Sequence, residues 1–190
     1  GLIPYGGTFL VFADYMRGSM RLSALSGLGV IYVLTHDSIG VGEDGPTHQP
    51  VETIPSLRAM PNMLVLRPGD GNETSGAYKI AIENRNRPSA LCLSRQGMPN
   101  QENTSIDKVA LGGYIVSDCE GTPDIIFIGT GSELNLCILA SKELSSLGKK
   151  TRVVSMPCVE LFEEQDPSYK EKVLPSNVKK RVVVEAAHSF

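Results

Sequence analysis

Six short apolar runs, rich in β-branched residues, punctuate this chain: GVIYVLT (29–35), MLVLR (63–67), SALCLS (89–94), DIIFIG (124–129), TRVVSM (151–156) and RVVVE (181–185). Most are apolar nearly throughout rather than alternating with polar residues. A strand of that kind has both faces covered, as strands inside a parallel sheet do. The stretches at 9–25, 52–60, 72–85 and 132–147 read as helices. The last of them opens at Ser132, whose hydroxyl suits an N-cap, and stops at Gly148, which suits the left-handed residue after a helix. Strand–helix–strand alternation predicts an α/β protein. The polar stretch QGMPNQENTSIDKVA (96–110) divides it. Before that break the expected unit is a three-layer α/β/α arrangement with a mostly parallel sheet. After it a second α/β unit begins.

A length of 190 residues is enough to bury a substantial core. The net charge is −3, and the 18 lysines and arginines form no basic block, which argues against nucleic acid as a partner. The apolar runs fall far short of a membrane span, and no charged and apolar leader opens the chain. Cys92, Cys119, Cys137 and Cys158 form no CxxC pair. They read as reduced, mostly buried thiols of a cytoplasmic protein rather than as a zinc site. The chain has no initiator methionine and begins within an apolar segment, GLIPYGGTFLVF. It stops just after a strand-like run, so both ends read as cut from a longer protein.

Chemistry concentrates in one loop. The chain has three histidines, and two of them, His36 and His48, lie in THDSIGVGEDGPTHQP (35–50), directly behind the first apolar run. Open α/β sheets hold ligand groups outside the carboxyl ends of their strands, which is where His36 falls. Gly40, Gly42 and Gly45 allow close approach of a ligand or a positive φ. Asp44 and His48 are four apart, but Gly45 and Pro46 make a helix between them unsuitable, so a folded loop must bring them together. One reading is a plain solvated turn. A second is a metal site made of two imidazoles and a carboxylate. A third is a wall for a hydroxylated, phosphorylated substrate, since imidazole moves protons near neutral pH and a carboxylate accepts from hydroxyls. Arg95, just past LCLSR's strand, favours the third, because a guanidinium fork matches phosphate oxygens. Phe9, Phe12 and Tyr15 recur every three residues and so share one face of the first expected helix, as core or as a slot for a flat heteroaromatic ring. GTGSE (129–133) lacks the third glycine of a dinucleotide fingerprint and reads as a capped turn.

The run GGTFLVFADYMRGSMRLSALSGLGVIYVLTHDSIGVGEDGPTHQPVETIPSLRAMPNMLVLRP strongly resembles the transketolase family, and GEDGPTHQPVETIPSLR fits that family's signature along its length. The likeness continues through DGNETSGAYK, PSALCLSRQ, GGYIVSD and PDIIFIGTGSEL, essentially the whole chain. Deoxyxylulose-phosphate synthases share the DGPTH core but usually lack the longer form.

This resemblance implies a thiamine-diphosphate enzyme that moves a two-carbon ketol unit from a ketose phosphate to an aldose phosphate in the pentose phosphate pathway. Residues 1–105 would be most of the pyrimidine-binding domain and 106–190 the start of the C-terminal domain. By position, Phe9, Phe12 and Tyr15 match the aromatic pocket around the aminopyrimidine. His48 matches the histidine near the cofactor's amino group and the reacting hydroxyls. Asp44 matches the carboxylate that reads the C2 hydroxyl, while His36 and Arg95 match residues that hold the substrate phosphate.

The resemblance also implies a homodimer and a divalent metal, Mg2+ or Ca2+. The metal's ligands, the diphosphate-binding domain and the glutamate that activates the cofactor all belong to segments this sequence lacks. The chain alone is therefore expected to be inactive. GDG at 69–71, with Asn100 behind it, mimics the family's metal motif. It sits in RPGDGNE, however, where Asp70 and Asn72 read as turn and N-cap residues. Dihydroxyacetone synthase, a non-catalytic assembly module and a metal-binding domain using His36, Asp44 and His48 remain alternatives.

Overall fold

The computed structural model describes residues 1–188. Two four-stranded sheets form. The first contains β1 (Tyr5–Phe9), β2 (Ile31–Thr35), β3 (Leu64–Leu66) and β4 (Ser89–Leu93) in the order β1-β2-β4-β3, all parallel. The second contains β5 (Tyr114–Ser117), β6 (Ile125–Gly129), β7 (Thr151–Ser155) and β8 (Arg181–Val184) in the order β5-β7-β6-β8, with only β5 antiparallel. All six apolar runs are strands. Their near-continuous apolarity has the expected cause, because helices cover both faces of each sheet.

On one face of the first sheet, Tyr32, Leu34, Val65, Ala90 and Cys92 pack against α1 (Arg17–Leu25) and α2 (Thr53–Arg58) through Met20, Ile54 and Leu57. On the other, Ile31, Val33, Leu64, Leu66 and Leu91 meet Ala77 and Ala81 of α3 (Gly71–Glu83). In the second sheet, Phe127 and Val153 face Leu134, Cys137 and Ile138 of α4 (Glu133–Ser146). Ile126, Ile128 and Val154 face Phe162 of α5 (Val159–Glu163) and Val173 of α6 (Pro167–Val173).

The expected helix at 9–25 is three elements. β1 runs to Phe9, a 3-10 segment covers Leu10–Met16, and α1 follows. β1, β5, α5 and α6 carry no strong run of their own: YGGTF is glycine-rich, and the other three are at most seven residues long. Gly148 does terminate α4, at φ +78°, with Gly148 N donating to Ser145 O and Lys149 N to Leu144 O, the paired bonds of a Schellman end. Ser132 is not a side-chain cap. It is already helical, and its hydroxyl donates to Glu133 Oε1 instead.

The seam between the sheets runs along β3. Arg67 N donates to Pro157 O at 2.7 Å, Gly131 N donates to Arg67 O at 3.0 Å, and Val65 N donates to Glu160 Oε2 at 3.2 Å. These bonds occupy groups that an edge strand would otherwise leave bare. Val109, from the end of the 96–110 stretch, and Cys158, from beyond it, complete the first sheet's core. The opposite edges, β1 and β8, are open, with Tyr5 and Val183 both about two-thirds exposed.

Candidate active site

β1 and β2 lie side by side, and their carboxyl ends pair Phe9 with Thr35. The chain leaves β1 as a 3-10 segment, in which residues three apart eclipse one another. The period-three spacing of Phe9, Phe12 and Tyr15 thus makes a column of rings rather than the face of an α-helix. Phe9 and Phe12 stack at 6.0 Å between centroids with planes 10° apart, and Phe12 and Tyr15 follow at 6.0 Å and 53°. Phe9 and Phe12 are half-buried, whereas Tyr15 is exposed.

The two loop histidines close on this column. His36 stacks on Phe9 at 3.7 Å between centroids and 22° between planes. The His48 ring stands edge-on to Phe12 at 5.2 Å and to Phe9 at 6.0 Å. Each imidazole is oriented by the threonine before it: Nδ1 of His36 lies 3.0 Å from Thr35 Oγ1, and Nδ1 of His48 lies 2.8 Å from Thr47 Oγ1. The loop returns through tight turns, with Gly42 at φ +86° and Gly45 at φ +73°, and with Gly45 N bonded to Gly42 O and His48 N to Gly45 O. Only glycine takes such φ values without steric cost.

Arg95 reaches the loop through Glu43. Its Nη2 lies 3.6 Å from Oε1 of Glu43, both groups being well exposed, so the pair is worth under about 1 kcal/mol and a stronger anion can displace it. Asp44, next to Glu43, is exposed, and its carbonyl accepts from Thr47 Oγ1 at 3.5 Å. Of the seven residues singled out in the sequence, Phe9, Phe12, Tyr15, His36 and His48 form one contiguous surface. Arg95 and Asp44 are exposed and stand apart from it, Arg95 meeting the loop at Glu43.

His36 itself is strained, at φ +57°. A left-handed residue with a side chain costs about 1–2 kcal/mol. Stacking on Phe9 returns about 0.5–1.5 kcal/mol of this, and the rest falls to its neighbour. Asp37 turns inward, 1% exposed, and accepts from Arg67 Nε at 2.9 Å. Arg67, fully buried, also donates through Nη1 to Thr130 O at 3.0 Å, to Thr130 Oγ1 at 2.7 Å and to Glu133 Oε2. Glu185 completes the cluster, bound bidentately by Arg58 at 2.7 Å on both oxygens and by the Thr130 hydroxyl at 2.7 Å. Burial pushes the Asp37 carboxyl above its usual range, and the Arg67 charge offsets this only in part. Desolvation opposes the Arg67 charge, but Asp37 and Glu133 outweigh it and hold the guanidinium protonated.

Sequence reasoning did not find this cluster. The only signals are an arginine at the end of an apolar run and an aspartate behind His36. The GTGSE turn belongs to it as well: a Cβ on Gly131 would sit 2.7 Å from Arg67 Cζ, so the turn seats a guanidinium rather than an outside anion.

The GDG sequence is a helix start, as its context suggested. Asp70 Oδ1 accepts from Glu73 N at 2.9 Å, while Oδ2 accepts from Gln101 N at 2.9 Å and Thr104 Oγ1 at 2.6 Å. Asn100 does reach this turn, but its Oδ1 accepts from Gly71 N at 3.0 Å. Asn72 bonds Thr104 Oγ1 at 3.1 Å rather than capping. Among the described residues, no three His, Cys, Asp or Glu side chains gather at metal-ligand spacing.

Comparison with known proteins agrees along the whole chain. The family model "Transketolase, pyrimidine binding domain" matches residues 1–101, and "Transketolase-like TK C-terminal domain" matches 112–190. A Nostoc transketolase is 64% identical over all of this chain and 29% of its own length. A chloroplastic transketolase of Solanum tuberosum is 61% identical over all of this chain and 26% of its own. The chain thus spans under a third of these relatives. Among solved structures, a Leishmania mexicana transketolase superposes with a TM-score of 0.96 at 51% identity, covering 100% of this chain and 28% of that one. A Pichia stipitis transketolase in complex with sedoheptulose-7-phosphate does so at 0.94 and 50% identity, covering 98% and 27%. One expectation is overturned. Reduced thiols suggested a cytoplasmic protein, yet similar plant proteins are named chloroplastic, a compartment that cysteine usage does not distinguish from the cytoplasm.

Proposed function

Since the chain belongs to the transketolase family, we propose that it supplies the pyrimidine-binding and sugar-phosphate side of a thiamine-diphosphate-dependent transferase. The full-length protein would move a two-carbon ketol unit from a ketose phosphate to an aldose phosphate, in the pentose phosphate pathway. The observation that carries this reading is the half-open aromatic column with two imidazoles against it, at the carboxyl ends of β1 and β2.

The column fits the cofactor. Its rings are flat and apolar, and its outer member, Tyr15, is 89% exposed, so an aminopyrimidine ring has a stacking surface ready for it. Phe9, Phe12 and Tyr15 would hold that ring. When bound, thiamine diphosphate supplies the electron sink for cleaving the carbon–carbon bond. This chain's residues would supply orientation and proton transfer. His48, edge-on to Phe12, would move the proton of the reacting hydroxyl. Asp44 would accept from the C2 hydroxyl, and His36 with Arg95 would hold the phosphate, Arg95 exchanging its loose pairing with Glu43 for the bidentate match a phosphate offers.

Residues 1–105 would form the pyrimidine-binding domain and 106–190 part of the C-terminal domain, a division supported by the two family matches and by the separate sheets. The divalent metal, Mg2+ or Ca2+, would be held outside this chain, in a homodimer. The 190 residues alone would transfer nothing.

Titration and kinetics on the full-length protein test this. Phe12→Ala should weaken thiamine diphosphate about tenfold, the value of roughly 1.4 kcal/mol of lost ring contact. His48→Ala should lower kcat by about a hundredfold or more while sparing cofactor affinity. Wild-type cofactor affinity and ketol transfer in both variants would overturn the reading.

A further inference from the structure

The left-handed turn at His36 raises the question of what holds it. Two forces act there, on opposite sides of the backbone. Outward, the imidazole lies flat on Phe9. Inward, the next side chain, Asp37, is drawn to the fully buried Arg67. Arg67 stands at the end of β3 and is itself fixed by Thr130, in the turn after β6 of the other sheet, and by Glu133, the first residue of α4. Its main chain is bonded to Pro157 and Gly131 of that sheet as well. A rigid path of adjoining contacts therefore runs from the second sheet, through one guanidinium and one carboxylate, to the residue behind His36.

From this we infer that Asp37, gripped by Arg67, is a positioning residue for His36, through which the second sheet helps to recognise the phosphate end of the substrate. The inference rests on the reading that His36 holds that phosphate. It assigns the second unit a task in substrate selection beyond packing. Asp37 is sealed beneath the loop and touches no substrate. Its effect is confined to the angle at which the chain leaves β2, and hence to where the His36 ring stands. Cutting the grip frees φ of residue 36 to relax out of the left-handed region, which swings the imidazole off Phe9. His48 is oriented by Thr47 through a separate hydrogen bond and does not depend on the grip. The defect should therefore fall on phosphate recognition and leave ketol chemistry largely intact.

Steady-state kinetics on the full-length protein separate these effects, using a phosphorylated ketose donor and a ketose donor of similar length without the phosphate. Asp37→Ala is expected to raise KM for the phosphorylated donor about tenfold, with KM for the unphosphorylated donor unchanged within about twofold. Asp37→Asn keeps the size and one acceptor for Arg67, and should show the same selective rise at about threefold. It carries the test if Asp37→Ala does not fold. The double variant His36→Ala, Asp37→Ala should be no worse on the phosphorylated donor than His36→Ala alone, because both act through one ring. Equal losses on the two donors, tracking a fall in Tm, would reduce Asp37 to a structural role and overturn the proposal, as would additive effects in the double variant. If His36→Ala itself leaves KM for the phosphorylated donor unchanged, the assignment of His36 fails first and the positioning role falls with it.

Discussion

Arg67 and Asp37 face each other across 2.9 Å just past the ends of β3 and β2, two strands that β4 separates in the sheet, 30 positions apart in sequence, with neither side chain reaching solvent. Charges placed there are costly to remove from water, and their mutual attraction only balances that cost when every hydrogen bond is made. Breaking one side should therefore be severe. Arg67→Met leaves Asp37 and Glu133 without their cation and should lose about 3–5 kcal/mol in denaturant unfolding. Replacing all three together, as Asp37→Leu, Arg67→Met and Glu133→Leu, should cost less than the single change.

The Glu185–Arg58 pair predicts a pH slope. Burial pushes the Glu185 carboxyl up, but the bidentate Arg58 and the Thr130 hydroxyl outweigh it and leave its pKa below the usual 4.5. A depressed carboxylate stabilises the fold at neutral pH and loses that contribution as pH falls through its folded value. Glu185→Gln should thus be less stable than wild type at neutral pH. The gap should close as pH drops below the ordinary glutamate range, read from denaturant midpoints between about pH 7 and pH 3. Glu73 titrates the other way: burial lifts its carboxyl despite bonds from Ser155, Tyr114 and Gly69, so its contribution declines as pH rises.

Gly76 in α3 sets two rules against each other. Glycine in a helix interior is worse than alanine by about 0.5–1 kcal/mol, which favours Gly76→Ala. A Cβ there would lie 2.4 Å from Ile106 O and 2.6 Å from Val109 Cγ2, both packed against the helix. Overpacking of this kind costs about 1–3 kcal/mol, so we expect a lower Tm. A rise in Tm would show that the 3-10 segment at Asp107–Leu111 yields easily.

Thiol reactivity should separate one cysteine from three. Burial raises the Cys92 and Cys137 thiols to about 12, and Cys158, also buried, is pushed well above its usual value. Cys119 alone is partly exposed. Brief alkylation of the native protein should add one group, at Cys119, and unfolding should admit the rest, as peptide mass spectrometry would resolve.

Legibility followed the physics of each signal. Continuous apolar runs such as IYVLT and IIFIG marked the strands because burial on both faces demands them. The loop histidines could be read because imidazoles are few and cluster in sequence. The spacing of Phe9, Phe12 and Tyr15 is visible in the sequence, but its meaning is not: a period of three is that of the 3-10 segment, and one side of an α-helix has nearly the same spacing. YGGTF was hidden because β1 borrows its stability from β2 alongside it. Arg67 was missed for a different reason. Its partners come from residues 37, 130 and 133, and nothing local distinguishes a buried arginine from a surface one.

At Arg67, the peptide N–H and C=O on either side of one α-carbon are both bonded across the seam, to Pro157 and Gly131. Changing the side chain leaves these two bonds intact, so the joint persists even where the guanidinium is lost. Amide protons at positions 67 and 131 should then exchange with deuterated solvent in step, at the pace of the whole seam parting rather than of local fraying. A hinge between the two halves of this chain would have to form elsewhere.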